Sequence, residues 1–380
     1  MRIVHLNPFY FPYAGGIERR IRAVSRRLGR KHEVHVVTAQ QPGGPGGTEV
    51  EEGGPSTGGS ASGPFTVHRL PSRFHLRRLY NPPLVSTPGL QDYIRRLAPD
   101  LVDYHFRWSP GYNKAFRSLS CAGVITYHNT YGEGRGLLGV ASRANDRLFM
   151  RTLRHAQRVV CVSEGLRRDL ASHGADAALL RVSHNAVETD DIEAVRGPPA
   201  LEVPRPFVVT VGRAVALKGF DILVRAWRQV PEPLDLVVVG QGPEIPALRR
   251  LAQREGVADR VHFPGWVDEE EKVRLLKAAV AYAHPSRFEA FGLSVLEAMA
   301  AGAPVVCAKV GGIPEVVGDA GPLLGHTPGE WAGALGQLAL AEGLRSDLAR
   351  RSRQRARLFH WDRITEGLEV IYAEAVTARG

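Results

Sequence analysis

The chain has 380 residues, of which 44% are hydrophobic and 23% are charged, as is usual for a globular protein with a buried core. Lysines and arginines number 49 against 39 acidic residues, and this net charge of +10 favours anionic partners such as a nucleotide or a membrane surface. No apolar run reaches the roughly 18 residues of a transmembrane helix, and the three cysteines are too scattered for a disulfide framework or a metal site.

The same features predict a cytoplasmic protein that does not bind nucleic acid. The segment Met1–Leu6 is strand-like and lacks the pattern of a signal peptide. Reduced cysteines fit the cytosol. Basic residues are not interleaved with aromatic ones, and no zinc-finger spacing occurs.

The chain begins with a predicted strand, Arg2–Leu6, a loop, Asn7–Gly16, that ends in two glycines, and a helix from about Ile17 to about Lys31. A Gly-rich turn between a strand and a helix is typical of phosphate binding, although one Gly-Gly pair is weak evidence. Further strands in this half are predicted at Glu33–Thr38, Phe65–Leu70, Leu101–His105, Gly123–Tyr127 and Arg158–Val162.

Basic side chains cover the face of this first helix that lies opposite its apolar stripe. They are Arg19, Arg20, Arg22, Arg26, Arg27, Arg30 and Lys31. Two interpretations stay open. The face is either solvated, which is the commoner case, or it contacts anionic lipid, where each clustered basic residue contributes about 1 kcal/mol. The second interpretation predicts a peripheral protein at the inner face of the membrane.

The segment 42–64 contains nine glycines and four prolines among its 23 residues. Such a composition buries too little apolar surface to offset the entropy lost on ordering. We therefore predict a flexible insertion inside the first domain. The proline-rich stretch Gly197–Pro206 is predicted to be the crossing to a second domain.

The second half begins with the strand Phe207–Val211, followed by Arg213 and, five residues later, Lys218. Arginine and lysine in a loop between a strand and a helix suit a diphosphate, because arginine binds it bidentately and lysine adds a compact charge. Two basic residues in a basic protein are not specific on their own. Further strands are predicted at Leu234–Gly240, Val261–Pro264, Ala279–Ala283 and Pro304–Cys307, and helices at Leu293–Ala301, Pro328–Ala341, Glu342 to about Phe359 and Arg363–Ala378.

Two carboxylates flank the start of the predicted helix Leu293–Ala301. Glu289 precedes it in the loop, and Glu297 lies one turn inside it. The free N–H groups of a helix start suit a phosphate, Gly292 permits close approach, and carboxylates accept hydrogen bonds from sugar hydroxyls. A sugar nucleotide fits this arrangement. Alternatively, Glu289 only complements the helix dipole and Glu297 is solvated.

The segment Glu289-Ala-Phe-Gly-Leu-Ser-Val-Leu-Glu297 resembles the E-x7-E signature of the retaining glycosyltransferase family 4. Gly212-Arg213-x4-Lys218-Gly219 and Gly311-Gly-Ile-Pro-Glu315 are similar to other motifs of that family. The resemblance implies the GT-B fold, in which two doubly wound, Rossmann-like α/β domains face each other across a cleft. The first domain would be 1–190, completed by a returning C-terminal helix in 361–380, and the second 191–360.

The resemblance also implies roles for particular residues. Arg213, Lys218 and the start of the helix near Gly292 would stabilise the diphosphate, together with the amides of Gly15 and Gly16. His128 and Glu289 would orient the sugar, and Glu297 the ribose. The remaining substrate-binding positions are Asn129, Gly265, Val267, Ala290, Phe291 and Leu293.

The implied activity is transfer of a hexosyl unit from a GDP- or UDP-linked sugar to a glycan, a lipid-linked acceptor or a small molecule, with retention of configuration. We expect no cofactor and no metal, because no dense carboxylate cluster occurs. Two alternatives stay open: a GT-B epimerase acting on a sugar nucleotide, and a non-catalytic protein that binds one.

Overall fold

The structure is a computed structural model that describes residues 1–12, 15–54, 62–75, 84–129, 131 and 136–380. The chain divides into two compact units. Unit 1 comprises Met1–Asn185 and Trp361–Gly380, and unit 2 comprises Ala186–His360. The predicted boundary lay a few residues later, between 190 and 191.

Unit 1 is built on a largely parallel sheet with helices between its strands. Its strands are β1 (Arg2–Leu6), β2 (Glu33–Ala39), β3 (Gly47–Glu51), β4 (Phe65–Leu70), β5 (Arg73–His75), β6 (Leu84–Ser86), β7 (Leu101–Tyr104), β8 (Ala122–Tyr127), β9 (Arg158–Cys161) and β10 (Leu180–Val182). Its first five helices are α1 (Gly16–Leu28), α2 (Leu90–Leu97), α3 (Pro110–Arg117), α4 (Gly136–Leu153) and α5 (Glu164–Ser172). Among the described residues, eight strands form one sheet in the order β10-β9-β8-β7-β1-β2-β4-β3, while β5 and β6 pair separately.

Burial explains why these segments form strands. In β1, Ile3, Val4 and Leu6 are fully buried, and the sequences of the neighbouring strands are similarly apolar. A parallel strand covered on both faces needs such a continuous apolar run. The apolar stripe predicted for α1 is confirmed, because Ile21 and Val24 are buried.

The predicted flexible insertion 42–64 contains an edge strand that the composition did not reveal. Strand β3 pairs antiparallel with β4, opposite in direction to the other strands of the sheet. Its acidic residues hold it in place: Glu49 pairs with Arg69 at 2.6 Å, and Glu51 with Arg22 at 2.8 Å. Residues 55–61 of the insertion lie outside the described residues.

The basic face predicted for α1 is largely engaged within unit 1. Arg20 is 1% exposed and donates to the Ser183 hydroxyl and the Asn185 side chain at 3.0 Å each. The prediction that Arg20 belongs to a basic face available to solvent or lipid was wrong, because its side chain is buried against Ser183 and Asn185. Most of the other basic residues of this face meet carboxylates, in the pairs Arg22–Glu51, Arg26–Glu51, Arg27–Asp362, Arg30–Asp362 and Lys31–Glu369.

Unit 2 has the same doubly wound construction with a smaller sheet. Its strands are β11 (Phe207–Val211), β12 (Asp235–Val239), β13 (Val261–Gly265), β14 (Ala281–His284), β15 (Val305–Ala308) and β16 (Leu323–Leu324). Its helices are α6 (Thr189–Ala194), α7 (Phe220–Ala226), α8 (Ile245–Arg254), α9 (Glu269–Ala278), α10 (Leu293–Ala301), α11 (Ile313–Val317), α12 (Pro328–Leu340) and α13 (Glu342–Ala356). All neighbouring strands are parallel, in the order β13-β12-β11-β14-β15-β16.

The last helix, α14 (Trp361–Thr377), belongs to unit 1, as the resemblance implied. It packs against α1 and against strands β7, β8 and β9. Tyr372 is fully buried there, and its hydroxyl donates to Asp103 at 2.5 Å. Across the residues that the structure describes, no helix combines the length and apolarity that crossing a bilayer requires.

Candidate active site

The topology of unit 2 indicates where a ligand would bind. From β11 the chain proceeds outward through β12 and β13, then returns to the other side of β11 with β14 and proceeds outward again. The strands β11 and β14 are neighbours in the sheet, but the loops that follow them lead away in opposite directions, which leaves a crevice between them. In open parallel sheets, ligands bind at the carboxyl ends of the strands where the direction of winding reverses. Arg213 and Lys218 follow β11, and Glu289 follows β14.

The two loops at this point are held together by backbone contacts. The Arg287 N–H donates to the Leu217 carbonyl at 2.7 Å, and the Ser286 hydroxyl donates to the same oxygen at 3.2 Å. The Arg287 guanidinium also binds Asp221 through two hydrogen bonds of 2.8 Å. A bidentate pair fixes orientation as well as distance, so the loops present their side chains in a defined geometry.

Lys218 and Glu289 are in direct contact at the centre of the site. Lys218 Nζ donates to Glu289 Oε2 at 2.6 Å, and His284 Nε2 lies 3.2 Å from the same oxygen. The Tyr282 hydroxyl lies 3.1 Å from the other ring nitrogen of His284 and donates to the Ser294 hydroxyl at 2.9 Å. The carboxylate is thus held on Oε2, and among the described residues no side chain donates to its second oxygen, which can accept from a ligand.

Charge keeps this buried carboxylate ionised. Burial alone would raise the pKa of Glu289, but the nearby Lys218 charge and the His284 contact outweigh burial and lower the pKa to about 2. Burial is also the main reason that the pKa of His284 is lowered. At neutral pH the site therefore contains an anion, a cation and a neutral imidazole.

A third loop supports Glu289 from the opposite side. The Gly312 N–H donates to the Glu289 carbonyl at 3.1 Å. Gly311 has a φ of +50°, and a Cβ atom at this position would lie 1.8 Å from the Glu289 carbonyl oxygen. Only glycine fits this conformation and this approach. The Gly-Gly pair of the motif Gly311-Gly-Ile-Pro-Glu315 therefore positions the loop that carries Glu289.

Glu297 has a partner that the sequence did not reveal. Lys272 Nζ of α9 donates to Glu297 Oε2 at 2.9 Å and to Glu269 at 2.7 Å. Burial opposes protonation of Lys272, but the two carboxylates prevail and raise its pKa. Glu297 is 14% exposed and is therefore not the freely solvated residue of the alternative interpretation.

The other predicted residues of unit 2 differ in their exposure. Arg213 is exposed and, among the described residues, has no ion-pair partner. Phe291 is 2% exposed and packs edge-on against Phe359, so its side chain is part of the core. Three of the others lie at the boundary of an element: Gly265 ends β13, Gly292 precedes α10 and Leu293 begins α10. Val267 and Ala290 lie in loops and are half-buried.

Unit 1 has its own reversal of winding, between β1 and β7, and three histidines lie beside it. His5 Nδ1 lies 3.1 Å from His105 Nε2, and His105 Nδ1 lies 3.1 Å from His128 Nε2. Burial is the main cause that lowers the pKa values of all three, that of His5 to about 3, and the nearby His105 lowers those of His5 and His128 further, as Arg20 lowers that of His105. This chain of neutral rings fixes the orientation of the predicted sugar-contacting His128.

Asp103 adjoins the histidine chain, and the group includes atoms of the types that bind transition metals. One ligand atom each from His5, Asp103 and His105 lie within 4.8 Å of one another. Asp103, however, accepts hydrogen bonds from Thr126 at 2.8 Å and Tyr372 at 2.5 Å. The imidazole nitrogens also meet each other, which fits a hydrogen-bond network better than a metal centre.

Acid is expected to destabilise the protein through His5. Its pKa is about 3 in the folded chain against 6.5 ordinarily, so the unfolded chain takes up the proton first. The stabilisation is present above pH 6.5 and is lost as pH falls from there toward 3. Below about pH 5.5, the free energy of unfolding should therefore vary less steeply with pH in His5→Asn than in the wild type, by about 1.4 kcal/mol per pH unit. Urea unfolding at several pH values measures this, with exposed His173→Asn as control; an unchanged slope in His5→Asn would contradict it.

The Gly15 amide, predicted to approach a phosphate, has a partner already. It donates to Glu18 Oε2 at 2.8 Å, and the other oxygen of Glu18 accepts from Asn7 at 3.2 Å. A phosphate would therefore have to displace the Glu18 carboxylate from this N–H. Gly16 begins α1, and Asn129 follows His128 in a half-buried position.

Several site residues were missed for an identifiable reason. His5 and Lys272 contact residues on other elements, 100 and 25 positions away, which one sequence does not display. The contacts of Glu18 and His284 are local in sequence. A signal existed for Glu18, since an acidic residue three positions after a helix cap often accepts from the cap amide. Another existed for His284, which is the last residue of a strand that ends beside the predicted site.

Comparison with known proteins identifies the family of this chain. The family described as Glycosyltransferase Family 4 matches residues 14–191, and the family described as Glycosyl transferases group 1 matches residues 191–355. D-inositol 3-phosphate glycosyltransferase of Acidothermus cellulolyticus is 37% identical over 65% of this chain and 57% of its own length. The enzyme of the same name from Mycobacterium tuberculosis (strain F11) is 36% identical over 57% of this chain and 48% of its own length. The chain thus spans about half the length of the curated relatives that it matches.

Solved structures show the same fold. Sucrose-phosphate synthase from Thermosynechococcus elongatus superimposes with a TM-score of 0.80 over 99% of both chains, at 21% identity. Anabaena HepE, solved in complex with UDP, gives a TM-score of 0.74 over 97% of this chain and 99% of its own, at 22% identity. These are GT-B proteins, and both units of the present chain have the corresponding Rossmann-like layout. With the two family matches extending over residues 14–355, this chain belongs to glycosyltransferase family 4 and has the GT-B fold.

Proposed function

We propose that this protein transfers a hexosyl unit from a nucleoside diphosphate sugar to a hydroxyl acceptor, with retention of configuration and without a metal ion. The observation that carries the proposal is the Lys218–Glu289 pair at the point where the winding of unit 2 reverses. A fixed cation beside an ionised carboxylate suits a ligand that carries both a diphosphate and sugar hydroxyls.

The protein can lower the barrier of this reaction mainly by stabilising the charge that develops in the transition state. The bond between the sugar C1 and the phosphate oxygen breaks through an oxocarbenium-like state, which leaves an additional negative charge on the diphosphate. Lys218 has three donor hydrogens, so it can hold Glu289 and still donate to a phosphate oxygen. Arg213 and the free N–H groups at the start of α10 would complete the stabilisation.

Glu289 orients the sugar in this proposal and is not a nucleophile. Its low pKa keeps it an acceptor for sugar hydroxyls at any physiological pH. The departing phosphate oxygen takes the acceptor proton as the acceptor attacks from the same face, so no enzyme base is required. Glu297, held by Lys272, would accept from the ribose hydroxyls. The role of His128 in orienting the sugar stays a prediction of the family resemblance.

Related proteins guide the choice of substrates. HepE has been solved with UDP-glucose, which makes UDP-glucose the first donor to test against GDP-mannose. The curated relatives named D-inositol 3-phosphate glycosyltransferases make a phosphorylated polyol the first acceptor to test. Glycan and lipid-linked acceptors form the next group.

The test is release of nucleotide from each donor, with and without acceptor, in the presence of EDTA. Slow hydrolysis that an acceptor accelerates, unaffected by EDTA, supports the proposal, and an α-linked product from an α-linked donor establishes retention. Interconversion of the free donor sugars would indicate the epimerase alternative. A donor that raises the melting temperature but yields neither product would indicate a binding protein.

A further inference from the structure

Helix α4 exposes a surface of mixed basic and apolar character. Its buried face consists of residues such as Ser142, Asp146, Phe149 and Leu153, which are spaced at helical intervals. At about 100° per residue, the opposite arc covers roughly 160° of the helix and faces solvent. We call this arc the α4 surface; its principal members are Val140, Arg143, Arg147, Leu148 and Arg151 of the helix, together with Arg154, which follows the last helical residue.

The apolar members of this surface are unusually exposed. Val140 is 56% exposed and Leu148 is 61% exposed. Single exposed apolar residues need no explanation, but Leu148 shares one flank of the arc with Ala141 and Ala144, whereas the arginines occupy the other flank, with Val140 among them. That division is typical of helices that lie in the interface of a membrane.

The four arginines differ from those of α1 in having no carboxylate partner. Within the part of the chain that the structure describes, none of Arg143, Arg147, Arg151 and Arg154 forms an ion pair. The acidic residue of this helix, Asp146, is 1% exposed and pairs with buried Arg107 at 3.2 Å. The positive charge of the α4 surface is therefore uncompensated, whereas most of the basic face of α1 is neutralised by carboxylates of its own unit.

We propose that the α4 surface binds anionic phospholipid membranes, with the arginines at the headgroups and Val140 and Leu148 at the acyl boundary. Four unpaired cations provide the charge complementarity, and the apolar flank distinguishes a lipid surface from a nucleic acid, whose backbone offers such side chains nothing to contact. This inference goes beyond the proposed function, because it concerns where the protein binds and its test uses no sugar donor.

The test is sedimentation of the full chain with vesicles of equal parts phosphatidylglycerol and phosphatidylcholine, and with vesicles of phosphatidylcholine alone. We expect binding to the anionic vesicles only, weakened at about 1 M salt, where the Debye length is about 3 Å. Each basic residue near an anionic surface contributes about fivefold, so R143Q/R147Q/R151Q should weaken binding by about 100-fold.

A matched variant separates this surface from net charge. R228Q/R250Q/R254Q removes the same charge from exposed positions of unit 2 and should change vesicle binding less than tenfold. Leu148→Asn leaves the charge intact and should still weaken binding. All these positions are exposed, so each variant should keep the wild-type melting temperature even where vesicle binding is weakened.

Three results would overturn the inference: no binding to anionic vesicles, equal weakening by the two triple variants, or binding to a single-stranded RNA oligonucleotide that exceeds vesicle binding and is lost in R143Q/R147Q/R151Q. The last result would assign the α4 surface to nucleic acid.

Discussion

Replacement of Lys218 by alanine should lower kcat for nucleotide release by about 100-fold or more. The lysine is the cation in direct contact with Glu289, and losing one donor that stabilises developing charge costs about 2.7 to 4 kcal/mol of barrier. Lys218→Arg keeps the charge but not the compact geometry, so it should recover only part of the rate. The measurement is steady-state release of nucleotide at saturating donor.

The appropriate control is Lys277→Ala. Lys277 is an exposed lysine of α9 whose ammonium donates to the backbone carbonyls of Glu193 and Val195, so its loss should leave kcat within about twofold. If Lys218→Ala retains the wild-type rate with every donor that the protein uses, the charge-stabilising role is wrong.

The same variant has a consequence for stability that does not depend on activity. The pKa of Glu289 is about 2 when folded and 4.5 ordinarily, so its ionisation stabilises the fold above pH 4.5, and this contribution is lost as pH falls toward 2. Removing Lys218 removes the largest favourable cause of that low pKa. The stability difference between the variant and the wild type should therefore be greatest at neutral pH and narrow below pH 4.5.

Sequence reasoning succeeded where the information is local. Helix α10 begins and ends where predicted, because Gly292 and Gly302 terminate a run of good helix formers on either side. The strand β11 is likewise as predicted, because a short apolar run between a proline-rich stretch and a glycine has few alternatives. The resemblance to the family assigned Lys218 to the diphosphate and Glu289 to the sugar of one ligand, but it did not predict the direct contact between these two residues, which lie 71 positions apart.

Sequence reasoning failed where the partner of a side chain lies on a distant part of the chain. Nothing near Arg20 in sequence indicates that it is buried against Ser183 and Asn185. The strand β3 was hidden for the same reason: the glycine-rich composition of the segment 42–64 argues for disorder, and the carboxylates of β3 are held by distant residues such as Arg22 and Arg69. Composition measures the entropy that a segment must lose, but not the contacts available to offset that loss.

Gly311→Ala should disturb both stability and activity, although Gly311 contributes no side chain to the site. Its φ of +50° is unfavourable for alanine, and the new Cβ atom would overlap the Glu289 carbonyl oxygen at 1.8 Å. Strain of this kind and forced repacking cost about 2–4 kcal/mol together. The loop is expected to relieve the overlap by shifting Glu289 away from Lys218, so nucleotide release should fall with stability.

Gly333→Ala is the matched control for this substitution, because the same atom is added in unit 2 where there is room for it. Gly333 lies inside α12, and no atom outside its own helical turn comes within 4 Å of the position that the alanine methyl carbon would occupy, so alanine should raise stability by about 0.5–1 kcal/mol. If the backbone approach at Gly311 positions Glu289, urea unfolding should give stability changes of opposite sign for the two variants, and nucleotide release should fall only in Gly311→Ala. Wild-type stability and rate in Gly311→Ala would mean that the loop carrying Glu289 is free to move, and the geometric basis of the Lys218–Glu289 site would then be lost.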